Sequence, residues 1–275
     1  MNLKIRMGLD HKMELPHKLP NPLLGLSPLE LELLLEQSLV AVRKFDAQDP
    51  AWNEPRPIEL RKNYFGTHDF SQQCESVRGS VPKEKYLEMP QIVVQKESEY
   101  VVRYNADIQK RLQEKLDQFK RREDEKPRVN QIFSKRFMRQ REWIVAQQLS
   151  IVEYLCKEQD TYLQRGNPFD LKSISREDVA TVIDCSASSV ARLVTNLSVQ
   201  LPNTRVIFTE ELIPGQMVNR LQGVYALRQL QQEGELYHEG KWRVADRELV
   251  PILYERFKLE VARRTVAKYK SLLQE

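Results

Sequence analysis

Between Pro127 and Gly166 the chain contains neither proline nor glycine, and that stretch limits what the fold can be. Proline removes a helical hydrogen bond and glycine adds backbone entropy, so a run free of both favours one long helix. Its apolar residues fall in two stripes at helical spacing. Val145, Leu149, Val152 and Cys156 make one; Phe137, Ile144, Ile151 and Leu155 make the other. A helix apolar on two sides sits between neighbours in a bundle. The pattern predicts a helix from Val129 that ends at Gly166-Asn167-Pro168, a glycine-then-proline stop. Lys135, Arg136, Arg139 and Arg141 cluster near its start and read as a solvated face. The fold class expected around such a helix is mainly α, with several helical modules.

Composition excludes more than it selects. The 275 residues suffice for two domains or several small modules. The formal net charge is only +4, so nucleic-acid binding has to come from local clusters. No apolar run is long enough to span a bilayer, and the N-terminus lacks the apolar core of a signal peptide. Cys74, Cys156 and Cys185 are far apart and form neither a zinc pattern nor an even disulfide set, which fits a reducing cytoplasm. His11, His17, His68 and His238 are scattered, no carboxylate pair stands out, and no glycine loop cradles phosphate. The expectation is a cytoplasmic non-enzyme with no catalytic residues, no metal, no cofactor and no membrane partner, monomeric when free.

Around the long helix the chain breaks into short units. Ser27-Pro28-Leu29-Glu30 reads as a helix start: a capping serine, proline at the first helical position, and glutamate three residues after the cap. Leu31, Leu34, Leu35 and Leu39 supply its apolar stripe. Residues 46–88 carry Pro50, Pro55, Pro57, Gly66, Gly79 and Pro82 among mixed charges and read as linker. Ile92-Val93-Val94 and Tyr100-Val101-Val102 flank Lys96-Glu97-Ser98-Glu99, the signal of one small β hairpin. Asp107 to Glu125 is a charged helix with Ile108, Leu112 and Leu116 on one side.

Two stretches carry DNA-reading patterns. Ser175-Arg176-Glu177-Asp178 fits a capping box, and Val179, Val182 and Ile183 then face inward. Asp184-Cys185 makes a turn, and Ser186 caps a second helix with Val190, Leu193, Val194 and Leu197 inward. Ser188, Ser189, Arg192 and Asn196 point outward on that helix. This is a helix-turn-helix outline with the second helix as reader. Further on, Met217, Leu221, Val224, Leu227 and Leu230 mark a helix; Gly234 and Gly240 flank a turn with Tyr237 and Trp242; Asp246 caps a helix holding Leu249, Ile252, Leu253 and Phe257. In the last stretch Ala262, Val266, Tyr269 and Leu273 form one face, and Arg263, Arg264, Thr265 and Lys268 point away from it. Guanidinium forks can grip guanine O6 and N7, and lysine can grip phosphate. A solvated basic face closing a helical domain is the alternative.

The run Ala262-Arg263-Arg264-Thr265-Val266-Ala267-Lys268-Tyr269-Lys270 resembles the box of the C-terminal DNA-binding domain of bacterial RNA polymerase sigma-54 (sigma N) factors, ARRTVAKYR, with lysine at the last position. Ser188-Ser189-Val190-Ala191-Arg192, Thr195-Asn196 and Gln200-Leu201-Pro202 are similar to that family's helix-turn-helix, and the run from Leu23 to Leu31 to its region I. The order of segments also matches. The resemblance implies that Arg263 and Arg264 read guanines of a −24 promoter element, with Thr265, Lys268 and Tyr269 setting phosphate register. It implies that Ser188, Ser189, Arg192 and Asn196 read a −12 element, and that Leu23, Leu24, Leu26, Leu29 and Leu31 meet an activator. The implied partners are promoter DNA, core RNA polymerase and an AAA+ ATP-dependent enhancer-binding activator.

The domains expected are an activator-interacting segment over 1–45, a linker over 46–88, a shortened polymerase-binding part over 89–170, a helix-turn-helix domain over 171–212 and a C-terminal DNA-binding domain over 213–275, with little contact between them. Pro20 and Pro22 interrupt the segment before region I, and between Asn203 and Glu211 only Phe208 fits the family's aromatic run. Two alternatives remain open: a DNA-binding repressor or competitor that does not load polymerase productively, and a polymerase-binding regulator that does not read DNA.

Overall fold

The computed structural model describes residues 23, 25–36, 74–124 and 130–273. Among them the chain is mainly helical, with two small sheets. Helix α1 covers 28–36 and opens on the expected capping box: Glu30 N donates to Ser27 Oγ at 3.2 Å, and Ser27 N to Glu30 Oε2 at 2.7 Å. The stretch 74–88, expected as linker, is folded instead. It forms α2 (74–77) and α3 (Lys83–Glu88), and Cys74, Val77 and Tyr86 are fully buried. Its apolar residues, Cys74, Val77, Val81, Tyr86 and Leu87, are interrupted by Gly79 and Pro82 and show no period. Leu39 and residues 46–73 lie outside the described residues.

The hairpin forms where expected, from β1 (Ile92–Lys96) and β2 (Tyr100–Tyr104). It is not alone. β3 (Ser198–Gln200) and β4 (Val206–Phe208) make a second hairpin, and β1 pairs parallel to β3 through Ile92–Val199 and Val93–Gln200, giving the order β2-β1-β3-β4. Strands of three residues are too short for alternation to be visible in sequence. Gln91 N donates to Ser198 O at 3.1 Å and Ser198 N to Gln91 Oε1 at 3.3 Å, across 107 residues of chain.

α4 (Ala106–Asp124) buries Ile108, Leu112 and Leu116 as its stripe predicts. The long helix α5 (Asn130–Glu158) also forms, but it breaks at Gln159 and resumes as α6 (Asp160–Arg165) before the left-handed cap Gly166. The break follows from tertiary contacts. Buried Gln159 donates through Nε2 to the carbonyls of Lys172 (2.9 Å) and Leu212 (3.2 Å), and its Oε1 accepts from Lys172 N. At the start of α6, Asp160 accepts from Lys96, Tyr100 (2.6 Å) and Gln164 (2.6 Å). These bonds, that from Lys96 foremost, hold its carboxyl below the usual carboxylate range and pin the hairpin to the helix. Arg141 of the basic cluster is half-buried near Tyr104, and burial lowers its guanidinium. The side chains of Lys135, Arg136 and Arg139 lie outside the described residues.

α7 (Arg176–Val182) and α8 (Ala187–Val194) follow, then α9 (Val218–Glu233), the short strands β5 (Tyr237–His238) and β6 (Lys241–Trp242), α10 (Asp246–Phe257) and α11 (Arg263–Ser271). One core joins the leucines of α1 to α2, the sheet and α4 through α8; a second lies among α9, α10 and α11. The expected separation between the N-terminal segment, the polymerase-binding part and the helix-turn-helix is therefore absent: a single core runs through all three. Some face assignments also change. Val182, Met217 and Leu221 are exposed, while Ala180, Val218 and Ala226 are buried.

Gln148 on α5 ties this core together. It is buried, takes a hydrogen bond from the Tyr104 hydroxyl, and donates through Nε2 to Leu193 O at 2.9 Å. Gln148→Leu leaves a buried carbonyl and a buried hydroxyl without partners, so it is expected to lower unfolding stability by about 1–3 kcal/mol. A shift of the chemical-denaturation midpoint checks this.

Candidate nucleic-acid interface

Two helices end on surfaces suited to a polyanion. α11 starts at Arg263 after Ala262, an N-cap without a side-chain bond, and its first turn holds no acidic residue. The positive end of the helix dipole and uncapped backbone N–H groups thus face the same way as two arginines. Arg263, Arg264 and Lys268 are exposed and make no ion pair or side-chain hydrogen bond among the described residues. Thr265 is half-buried, its N–H bonded to Ala262 O at 2.9 Å. Val266 and Tyr269 face inward.

Tyr269, expected to set phosphate register, is instead a core contact. It is 6% exposed, and its ring lies on the backbone of α9 at Gly223. A Cβ on Gly223 would overlap two ring carbons and come within 3.2 Å of a third, Cζ. Helix-interior glycine costs about 1 kcal/mol against alanine, so its presence in α9 marks this close approach. That was a signal available in the sequence. Lys270 also turns inward: its Nζ bonds Asp246 Oδ1 at 2.8 Å and sits 5.1 Å from the centre of the Trp242 ring. Asp246, expected as the cap of α10, is its first residue and is used for this bond. The cap position is Ala245, whose N–H donates to Glu248 Oε2 at 3.1 Å. Tyr254 is half-exposed, and Lys258, in the left-handed cap of α10, lies 5.7 Å above its ring; no sequence pattern singled them out.

The helix-turn-helix is built as its pattern requires. Ser175 Oγ accepts from Asp178 N at 3.1 Å, and Asp178 accepts from Ser175 N at 2.8 Å, which holds its carboxyl below the usual range. Asp184 takes the left-handed turn conformation, and Ser186 Oγ accepts from Ser189 N at 3.1 Å. Ser188 and Ser189 Oγ each lie 2.9 Å from Ser186 Oγ, a group of three hydroxyls at the start of α8. Arg192 is exposed.

Asn196 is not on the outward face. It lies beyond the end of α8 in the left-handed conformation that asparagine tolerates, half-buried beside the Tyr86 hydroxyl. Ser27 Oγ donates to the same hydroxyl at 3.2 Å. A Cβ on Gly25 would be 3.5 Å from Arg192 Cβ. The N-terminal segment thus lies along one flank of α8. Its Leu23, Leu26 and Leu31 are buried in the first core and Leu29 is half-buried; Leu24 lies outside the described residues.

Among the described residues no group of three His, Cys, Asp or Glu is placed to hold a metal ion, and no helix is long and apolar enough to cross a membrane. Burial pushes the Cys74 and Cys156 thiols up to about 12, so neither is a nucleophile at neutral pH.

Gly223→Ala is expected to destabilise the second core by about 1–3 kcal/mol through overpacking against Tyr269. Denaturation followed by Trp242 fluorescence measures it.

Residues 130–274 match the family model described as "Sigma-54, DNA binding domain", from the start of α5 to beyond α11. No curated protein matches the chain.

Proposed function

The chain belongs to the sigma-54 family of transcription factors, and from that premise we propose that it directs core RNA polymerase to promoters with −24 and −12 elements. α11 reads the upstream element, with Arg263 and Arg264 on guanines and Lys268 on phosphate. The observation that carries this reading is the exposed Arg263, Arg264 and Lys268, without an ion pair among the described residues, at the uncapped start of α11, on a helix whose other face is buried. α8 reads the downstream element through Ser188, Ser189 and Arg192. Asn196 acts there only indirectly, by shaping the turn after the helix.

The activator belongs to the same reading. Freeing Leu23, Leu26 and Leu31 from the core costs about 2 kcal/mol for each side chain. Their exposure therefore requires an input of work, which an ATP-dependent activator supplies. Surfaces of the hairpin and of α4 meet polymerase, since the helix-turn-helix and the C-terminal module are committed to DNA.

Binding of the full chain to a fluorescent −24/−12 duplex, with and without core polymerase, tests the proposal. Polymerase should increase GG-dependent binding. GG-dependent binding indifferent to polymerase would point to a repressor or competitor instead. Arg263→Ala and Arg264→Ala should each cost about 1–3 kcal/mol on the native duplex and much less on one lacking the upstream GG. Lys268→Ala should weaken both duplexes alike and flatten the salt dependence by about one unit of slope.

A further inference from the structure

The segment that precedes the helix-turn-helix does not pack only with its own module. Phe169, in the short turn after Gly166, belongs to the second core. Its ring stacks on Phe257 of α10 (centroids 5.4 Å, interplanar angle 16°) and meets Tyr225 of α9 edge-on (5.7 Å, 72°). The stack continues outward: Arg256 lies 5.6 Å from the Phe257 ring and is held by two 2.8 Å bonds to Glu233. Beside it, Gln222 Nε2 points at three carbonyls of the same turn, Pro168 (3.1 Å), Phe169 (3.4 Å) and Leu171 (3.4 Å). Gly215 N donates to Ile174 O at 2.8 Å, just before α7.

Both attachments converge on α9. Gln222 and Tyr225 of α9 hold the turn that leads into α7 and α8. Gly223, between them, receives Tyr269 of α11. The two reader helices are thus joined through α9 by aromatic stacking and directed hydrogen bonds, in addition to the covalent connection.

We infer that Phe169 and Gln222 form a clasp that sets the distance and rotation between α8 and α11, and with them the length of DNA spacer the chain accepts. This rests on the two-element reading above. The two elements lie about one turn of duplex apart. One added base pair moves the second element by ~3.4 Å and turns it by about 34° around the axis. A flexible tether follows that change at small cost; a clasped pair cannot without breaking the stack or releasing one element. Phe169 and Gln222 are positioning residues, since neither lies on the faces assigned to DNA.

The experiment compares the full-length chain with Phe169→Ala and Gln222→Ala on fluorescent −24/−12 duplexes with native spacing and with spacers shortened or lengthened by one and two base pairs. Wild type should lose at least about tenfold in affinity for each added or removed base pair. In Phe169→Ala that ratio should fall to about threefold or less, and Gln222→Ala, which leaves the aromatic stack in place, should fall in between. A merely structural role would lower binding to all five duplexes by a common factor and leave the ratios unchanged, and that result overturns the clasp. A flat spacer profile in wild type also overturns it. Wild-type binding that ignores loss of either element at native spacing would sink the two-element reading itself, and the inference with it.

Discussion

The pairing of β1 with β3 is the constraint on which the larger part of the structure depends. Closing a loop of 107 residues costs about 4 kcal/mol in chain entropy. The reciprocal bonds of Gln91 and Ser198 and the burial of Ile92, Val94, Val199 and Ile207 offset that cost. Once the join exists, the hairpin, α5 and the helix-turn-helix share one core. Gln148 can then reach from Tyr104 to the carbonyl of Leu193, and α8 is held by the same contacts that hold the hairpin. A disturbance in the hairpin therefore reaches the reader helix through packed side chains.

α11 and α8 are supported differently. α11 rests on α9 and α10 through Val266 and Tyr269 and leaves its arginines exposed. Lys270, bonded to Asp246 and lying over Trp242, fixes its far end. α8 has one flank occupied by Gly25 and, beyond its end, Asn196 half-buried beside Tyr86. The basic face of α11 thus rests within its own module, whereas α8 shares its surroundings with the N-terminal segment. Removing that segment would expose apolar side chains and change the neighbourhood of Arg192.

Local signals were legible wherever one residue type answers one local demand. The capping serines Ser27, Ser175 and Ser186 marked three helix starts because their side chains satisfy backbone N–H groups three residues on. Periodicity placed Ile108, Leu112 and Leu116, and Val190, Leu193 and Val194, on buried faces. It failed at Val182, Met217 and Leu221, where a helical stripe continues past the edge of what its neighbours cover. Gly223 was legible in principle, as an expensive glycine inside a helix, but the side chain that needs it comes from a helix 46 residues later, at Tyr269.

By itself, then, the sequence determined the helices that carry an apolar stripe, the serine caps at Ser27, Ser175 and Ser186, the first hairpin and the basic face of the last helix, because those depend on residues within a few positions of one another. The tertiary structure alone decided that α5 breaks at Gln159, that 74–88 is folded, that Asn196 and Tyr269 turn inward, and that Phe169 enters the neighbouring core. Most of those outcomes depend on a partner distant in the chain: Lys172 and Leu212 for Gln159, Glu30 and Phe208 for 74–88, Gly223 for Tyr269, Tyr225 and Phe257 for Phe169. Burial and hydrogen-bond satisfaction act on whatever the fold brings together, and sequence spacing carries no record of that meeting.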